Sequence, residues 1–334
     1  MESLKRFNES DLYKKLLLLS EDEFNEWLKD LGLLHQKRTC ECGAPMRLKN
    51  REDGRKFPSW HCRRKTSGKV CGKARGYVVG TFFEGTHLSL KEIFQLSYYF
   101  ARQAHPQEEI QFNLRREDGS TISEEAIVDY KNFFREVCQR YFERHPVIIG
   151  GPGKVVEIDE TVITKRKYHR GQLRAQEQWF FGGVERGSSE NCFLVPVDKR
   201  DADTLLPIIM KHIRKGSTII SDGWAAYGRI KEILMTDSGE RAYAGHFVVN
   251  HSENFVDPET GAHTQTIEGT WSHFKARHKK ERGTSRGLFA SYLYQFMWRK
   301  KFSGDDALYH LWQQIAEQYP CEMEEEEPTV VGEP

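Results

Sequence analysis

Along the first 145 residues apolar positions recur at helical spacing. Residues 8 to 34 read as short amphipathic helices, with Ser20 and Glu23 at capping-box spacing ahead of Phe24, Trp27, Leu28 and Leu31, and Gly32 as the stop. Ser89 and Glu92 repeat that spacing before Ile93, Phe94, Leu96, Tyr98, Tyr99 and Phe100. A shorter helical piece covers about Glu108 to Leu114, and the turn EDGS follows. A longer helix is expected from about Ser123 to Arg144, striped by Ile127, Tyr130, Phe133, Phe134, Val137, Cys138 and Tyr141. Three helices with a tight turn permit a helix-turn-helix unit; three-helix packing without DNA is the competing reading.

From Lys154 the pattern turns α/β. Strands are expected at 154–164, 177–185 and 191–197, then a helix from about Asp203 to Lys215 ended by Gly216. A short strand Thr218–Ser221, a helical DGWAAYGRIKEIL, a strand Phe247–Asn250 and a helix from about Thr264 to Lys280 complete the series. Three meandering strands followed by a helix-crossed strand give the order of a ribonuclease H-like α/β fold, a mixed five-stranded sheet flanked by helices. Residues 287–317 add an aromatic helical segment read as packing.

The 334 residues suffice for two or three domains. Charged residues make up 30% but the net charge is only +1, so the whole-chain average points to no partner. The charges are segregated, however. Lys165 to Arg174 (KRKYHRGQLR) holds five bases and no acid, whereas Cys321 to Pro328 holds five glutamates and no base. No apolar stretch approaches the roughly 20 residues that span a bilayer, so no membrane partner is expected. The amino terminus lacks an uninterrupted apolar run, so no secretory signal is expected.

Residues 39 to 80 are Gly- and base-rich and too poor in apolar periodicity for a core, yet they hold four of the seven cysteines. Two cysteine-bearing turns, Cys40/Cys42 and Cys62/Cys71, suit a zinc ribbon in which four thiolates surround one structural Zn²⁺. The first pair is C-x-C rather than C-x-x-C and the second spans eight residues, so His61 or His35 is a candidate substitute ligand.

The strand GKVVEIDETVITK carries Asp159 among apolar residues, and burying a carboxylate is costly unless something compensates it. Asp222 ends the strand STIISD, which the fold places beside the first. Glu268 lies one turn into the helix after the fifth strand. Three hard oxygen donors from separate elements suit two Mg²⁺ (or Mn²⁺) ions, which support in-line phosphoryl transfer. Singly, each acid has an ordinary reading as an ion pair, a cap or a solvated glutamate. Asp257 competes for the third place from a Pro/Gly-rich loop. Glu157 shares the face of Asp159 and is a candidate secondary ligand, while Glu160 points the other way. His251, His263 and His273 flank the site and are read as structural. Two basic segments suit phosphates: Lys165, Arg166, Lys167, Arg170 and Arg174, and, with Trp271 on the helix of Glu268, Lys275, Arg277, Lys279, Lys280, Arg282 and Arg286.

The stretches VVEIDET, SDGWAAY and VNHSENFVDPETGAHTQTIEGTWSHFK strongly resemble transposases of the Merlin superfamily and their bacterial insertion-sequence relatives, over about residues 39–300. The resemblance implies a DDE core that uses two Mg²⁺, with its acids at Asp159, Asp222 and Glu268. A phosphodiester at the terminal inverted repeats of a transposon would be hydrolysed, and the freed 3′-OH would attack target DNA. It implies a zinc ribbon over 39–84, a helical DNA-binding region over 85–148 and the catalytic domain over 149–286. An element at 1–38, helices at 287–320 and an acidic, solubilising tail at 321–334 surround these. Double-stranded DNA is the expected partner, and joint processing of two ends implies a homodimer or larger assembly. The expected location is the nucleus in a eukaryotic host and the cytoplasm or nucleoid in a bacterium. A domesticated DNA-binding regulator and a repair or resolving nuclease on the same core are the alternatives.

Overall fold

The computed structural model describes residues 1–50, 57–66, 68–103, 105–116, 118–162, 178–234, 238–250, 256–258, 261–280 and 288–323. The basic loop from Lys165 to Arg174, Arg282, Arg286, His251 and the tail beyond 323 lie outside them. The chain divides into two compact units, Met1–Val137 with Gly304–Pro334, and Cys138–Ser303. Among the described residues no helix is long and apolar enough to cross a membrane.

The first unit opens with α1 (Glu9–Leu18) and α2 (Glu21–Asp30). Ser20 caps α2 through a full capping box with Glu23, and Gly32, at φ +75°, takes the left-handed turn that ends it. Short strands follow: β1 (Arg47–Lys49), β2 (Ser59–His61), β3 (Lys65–Thr66), β4 (Lys69–Val70) and β5 (Ala74–Gly76). They form the sheet β1-β2-β5 and the hairpin β3-β4. Next come α3 (Leu90–Arg102), capped by Ser89 and Glu92 as the spacing predicts, α4 (Gln107–Asn113) and α5 (Glu124–Arg144). Phe133, expected on the buried stripe of α5, is instead 46% exposed and meets the Tyr130 ring edge-on.

The second unit contains β6 (Val155–Val162), β7 (Trp179–Glu185), β8 (Ser188–Val197), α6 (Ala202–His212), β9 (Thr218–Asp222), a 3-10 segment (Ala225–Glu232), β10 (Gly245–Val249), α7 (Gln265–Lys280) and α8 (Phe289–Lys301). Its five strands form one mixed sheet in the order β10-β9-β6-β7-β8. The β6–β7 and β7–β8 pairs are antiparallel, whereas β6–β9 and β9–β10 are parallel. This is the expected ribonuclease H-like arrangement, with each predicted strand within a few residues of its place.

Alternation along β6 sorts its side chains between two layers. Val156 and Ile158 enter a core with Phe181, Phe193, Leu205, Ile209 and Tyr227, beneath α6 and the 3-10 segment. Glu157 and Asp159 face α7. On that face Phe180 of β7 meets Phe274 of α7 and Phe289 of α8. The C-terminal aromatic segment therefore does pack, but in two places: α8 lies on β8, while α9 (Ala307–Gln318) joins α3 in the first unit. There Trp312 stacks on Phe94 at 5.6 Å and its Nε1 donates to Ser97 Oγ at 2.8 Å. Of the expected acidic tail, Glu322 is tied down: its backbone N–H donates to His35 Nδ1 at 2.9 Å and its carboxylate accepts from Thr39 N at 2.8 Å.

Gly182 fixes how closely α7 approaches the sheet. A Cβ there would lie 2.6 Å from Leu194 and 2.9 Å from the Trp271 ring. Gly182 is also the register partner of Asp159 on β6. Gly182→Ala is expected to cost about 1–3 kcal/mol through overpacking. That corresponds to a fall in thermal midpoint of about 2–12 °C, measurable by circular dichroism; an unchanged midpoint would show that α7 has room to move.

Candidate functional site

Three elements deliver three carboxylates to one layer. The β6–β9 ladder ends with Glu157 opposite Ile220, and continuing the same register by two residues aligns Asp159 with Asp222. Glu268 sits in the first turn of α7, where Thr264 Oγ1 donates to its Oε1 at 2.8 Å. Asp222 accepts from the Trp224 backbone N–H at 3.0 Å. Burial, reinforced by Glu160, Asp222 and Glu268, pushes the Asp159 carboxyl up to about 8. The donors are all hard carboxylate oxygens at a site hostile to uncompensated negative charge. That set fits Mg²⁺ or Mn²⁺ and suits neither a thiophilic nor an imidazole-seeking metal.

Glu160 lies on the opposite face of β6, as alternation requires; burial holds it above the usual range beside Tyr227, Asp222 and Arg200. Asp257 closes a turn, its backbone N–H donating to Ala262 O at 2.8 Å. His263 contributes its carbonyl to Arg186 at 2.9 Å, and His273 is exposed.

Glu157 does not behave as a spare ligand. It is fully buried, and its Oε2 accepts from the backbone N–H groups of Thr266 (2.8 Å) and Ile267 (3.1 Å), the open donors of the first turn of α7. Its Oε1 accepts from Thr266 Oγ1 and from Arg186 Nε, both at 2.9 Å. Both oxygens are thus committed to holding the helix that carries Glu268, and Arg186 offsets the buried charge. Pattern reading offers no signal for this, because the partners lie 29 and 109 residues away. Glu157→Ala would leave Arg186 without its buried partner, at a cost of about 3–5 kcal/mol. The thermal midpoint should fall by about 6–20 °C, with a smaller fall for Glu157→Gln, in a melting experiment.

The expected DNA-facing residues divide. Lys275 and Lys279 are exposed on α7, and Arg277 is half-buried. Trp271 is a correction: it is 3% exposed and packs against Gly182, so it belongs to the core. Helical spacing placed it on the face of Glu268 but could not say that this face turns inward one turn later. Lys280 lies on α7, its side chain outside the described residues, as are Lys165, Arg166, Lys167, Arg170, Arg174 and Arg282. One group near the acids was missed: Arg200 lies between the rings of Trp179 and Trp224, at 3.6 and 4.7 Å from their centroids. The only sequence signal was a tryptophan two residues beyond Asp222.

In the first unit, the sulfurs of Cys40, Cys42, Cys62 and Cys71 all lie within 4.8 Å of one another. Cys40 and Cys71 are 3.9 Å apart, and Cys42 and Cys62 are 3.6 Å apart. A tetrahedron with Zn–S bonds of about 2.3 Å has edges of about 3.8 Å, so the thiols fit zinc. The two substitute histidines are engaged elsewhere, His61 with Ser59 Oγ at 2.8 Å and His35 with Arg38 and Glu322. Purified protein should carry one zinc by elemental analysis, and Cys62→Ser should lose it together with the fold of residues 39–84. Protein that is metal-free but resists proteolysis there would contradict the assignment.

The sheet, its acids and the basic helix beside them lie within the part of the chain that resembles transposases. Residues 150–301 match the family model of the ISXO2-like transposase domain. An uncharacterized transposase-like protein of Haemophilus influenzae is 28% identical over 107 residues, covering 32% of this chain and 78% of that protein. Among solved structures, the Mos1 strand transfer complex aligns with 68% of this chain and 75% of its own at 10% identity and a TM-score of 0.24. The mariner Mos1 paired end complex with Mg aligns with 70% and 80%, at 10% identity and a TM-score of 0.20. These superpositions are loose.

Proposed function

We propose that the chain is a DNA transposase that cuts phosphodiester bonds at the terminal inverted repeats of its element and joins the 3′-OH ends to target DNA. The observation that carries this reading is the partly buried Asp159, aligned with Asp222 and within electrostatic reach of Glu268, inside the segment that matches the transposase domain model. Asp159, Asp222 and Glu268 would hold two Mg²⁺ or Mn²⁺ ions. When bound, such ions supply Lewis acidity to the attacking and leaving oxygens. The chain itself supplies position. The sheet holds two of the acids, Glu157 holds the helix bearing the third, and the Asp159 carboxyl must give up its proton to act as a ligand. Lys275 and Lys279, exposed on the same helix, offer charge for DNA phosphates. The cysteine module and α3–α5 are assigned to recognition of the element ends, and a dimer or larger assembly to pairing them.

A strand-transfer assay on duplexes carrying the cognate ends, with Mg²⁺ or Mn²⁺, tests this reading. Wild type should yield cut and joined products. Asp159→Asn, Asp222→Asn and Glu268→Gln should each lower the yield at least about 10³-fold while still binding the ends, as befits groups that act as one unit. Binding by the wild type without any cutting would instead favour a DNA-binding regulator, and cutting of branched DNA without joining would favour a nuclease.

A further inference from the structure

Trp224 is a large aromatic side chain that remains 41% exposed although it is hydrogen-bonded on both its indole and its backbone. Its indole Nε1 donates to Arg200 O at 2.9 Å, and its backbone N–H donates to Asp222 Oδ1 at 3.0 Å. The Arg200 guanidinium lies 4.7 Å from the Trp224 ring centroid and 3.6 Å from that of Trp179. Trp179 in turn packs against the core under α6. If the arginine served only to seal the edge of that core, Trp179 would suffice. Trp224 instead keeps a flat apolar surface in water, at a standing hydration cost, beside the acid site. An aromatic surface backed by a guanidinium and set two residues from Asp222 is suited to a flat π-system joined to an anionic backbone. In duplex DNA the base faces are covered by their neighbours, so only an unpaired base offers such a face.

We propose that Trp224, backed by Arg200 and Trp179, is a stacking platform for one unpaired nucleobase of the DNA strand bound at the acid site. The proposal rests on the reading of the chain as a DNA-processing transposase, and it adds a specific contact that the acids and lysines do not provide. Strand separation next to the cut would leave such a base, and stacking it would hold the adjacent phosphate in place.

The test uses the full chain with Ca²⁺ in place of the ions that support cutting. Anisotropy at fixed salt would compare a short labelled oligo(dT) with an oligomer of equal length in which every base is replaced by an abasic spacer. Phosphate contacts are the same in both, so the ratio of affinities isolates the base. Wild type should prefer oligo(dT) by about 10-fold or more. Trp224→Ala and Trp224→Leu should abolish most of that preference without weakening abasic binding, and Trp224→Phe should retain part of it. Trp224→Leu keeps apolar bulk, so a circular-dichroism melt matching wild type separates loss of stacking from loss of fold. An equal preference in wild type and both aliphatic variants, or no binding to either oligomer, would overturn the platform. An intact preference in a chain that never cuts element ends would instead sink the transposase reading and leave the platform standing.

Discussion

A single buried carboxylate ties the N-terminus of α7 to the middle of the central sheet. Glu157 accepts two backbone N–H bonds from the first turn of that helix, one hydroxyl bond and one guanidinium bond, and is completely shielded from water. The helix end supplies partial positive charge and unsatisfied donors, and Arg186 supplies a full charge, so burial is compensated on both sides. Asp159 follows two residues later on the same strand, and Glu268 directly follows Ile267. The separation between a strand acid and a helix acid is therefore set by a rigid polar clamp. A cation bridge between those acids tolerates little slack, so placement by packing alone would serve it poorly.

Next to this paired acid sits one set among like charges. Asp159 is only partly buried by comparison, but it faces other carboxylates, and its proton is held up to about 8. The two residues share a strand face and a residue class, and their neighbours give them opposite characters: Glu157 holds the framework together, and Asp159 stores electrostatic cost that a divalent cation would relieve. In the first unit, four thiols gathered within 4.8 Å on short strands with little core pose the same demand for a cation in softer chemistry.

The two tryptophans flanking the acids show where pattern reading loses its grip. Trp271 has the helical spacing of a surface neighbour of Glu268, yet α7 dips into the sheet at Gly182 and buries the ring. Trp224 follows Asp222 in a turn and carries no periodicity, yet it stands exposed on an arginine. A helical wheel gives relative angle within one helix, whereas exposure depends on what the wheel rests against, and here that is a missing side chain on β7. The glycine was visible in EQWFFGGVE, but its partner was not.

Most of the fold was legible because local rules governed it. Capping boxes at Ser20 and Ser89 started helices where expected, alternation in β6 put Glu160 opposite Asp159, and the element order implied the mixed sheet. The identities of Asp159, Asp222, Glu268 and the four cysteines could be named from residue type and spacing; the structure gathers the cysteine sulfurs within 4.8 Å and sets Asp159 and Asp222 on adjoining strands. The sequence by itself thus determined which elements form, in what order, and which residue types are available for chemistry, since these follow from contacts within a few positions along the chain. Only the tertiary structure decided that Glu157 clamps a helix, that Trp271 is core and that Arg200 reaches Trp224. Those outcomes depend on groups 24 to 110 residues apart, and chain-local periodicity contains no information about such distances.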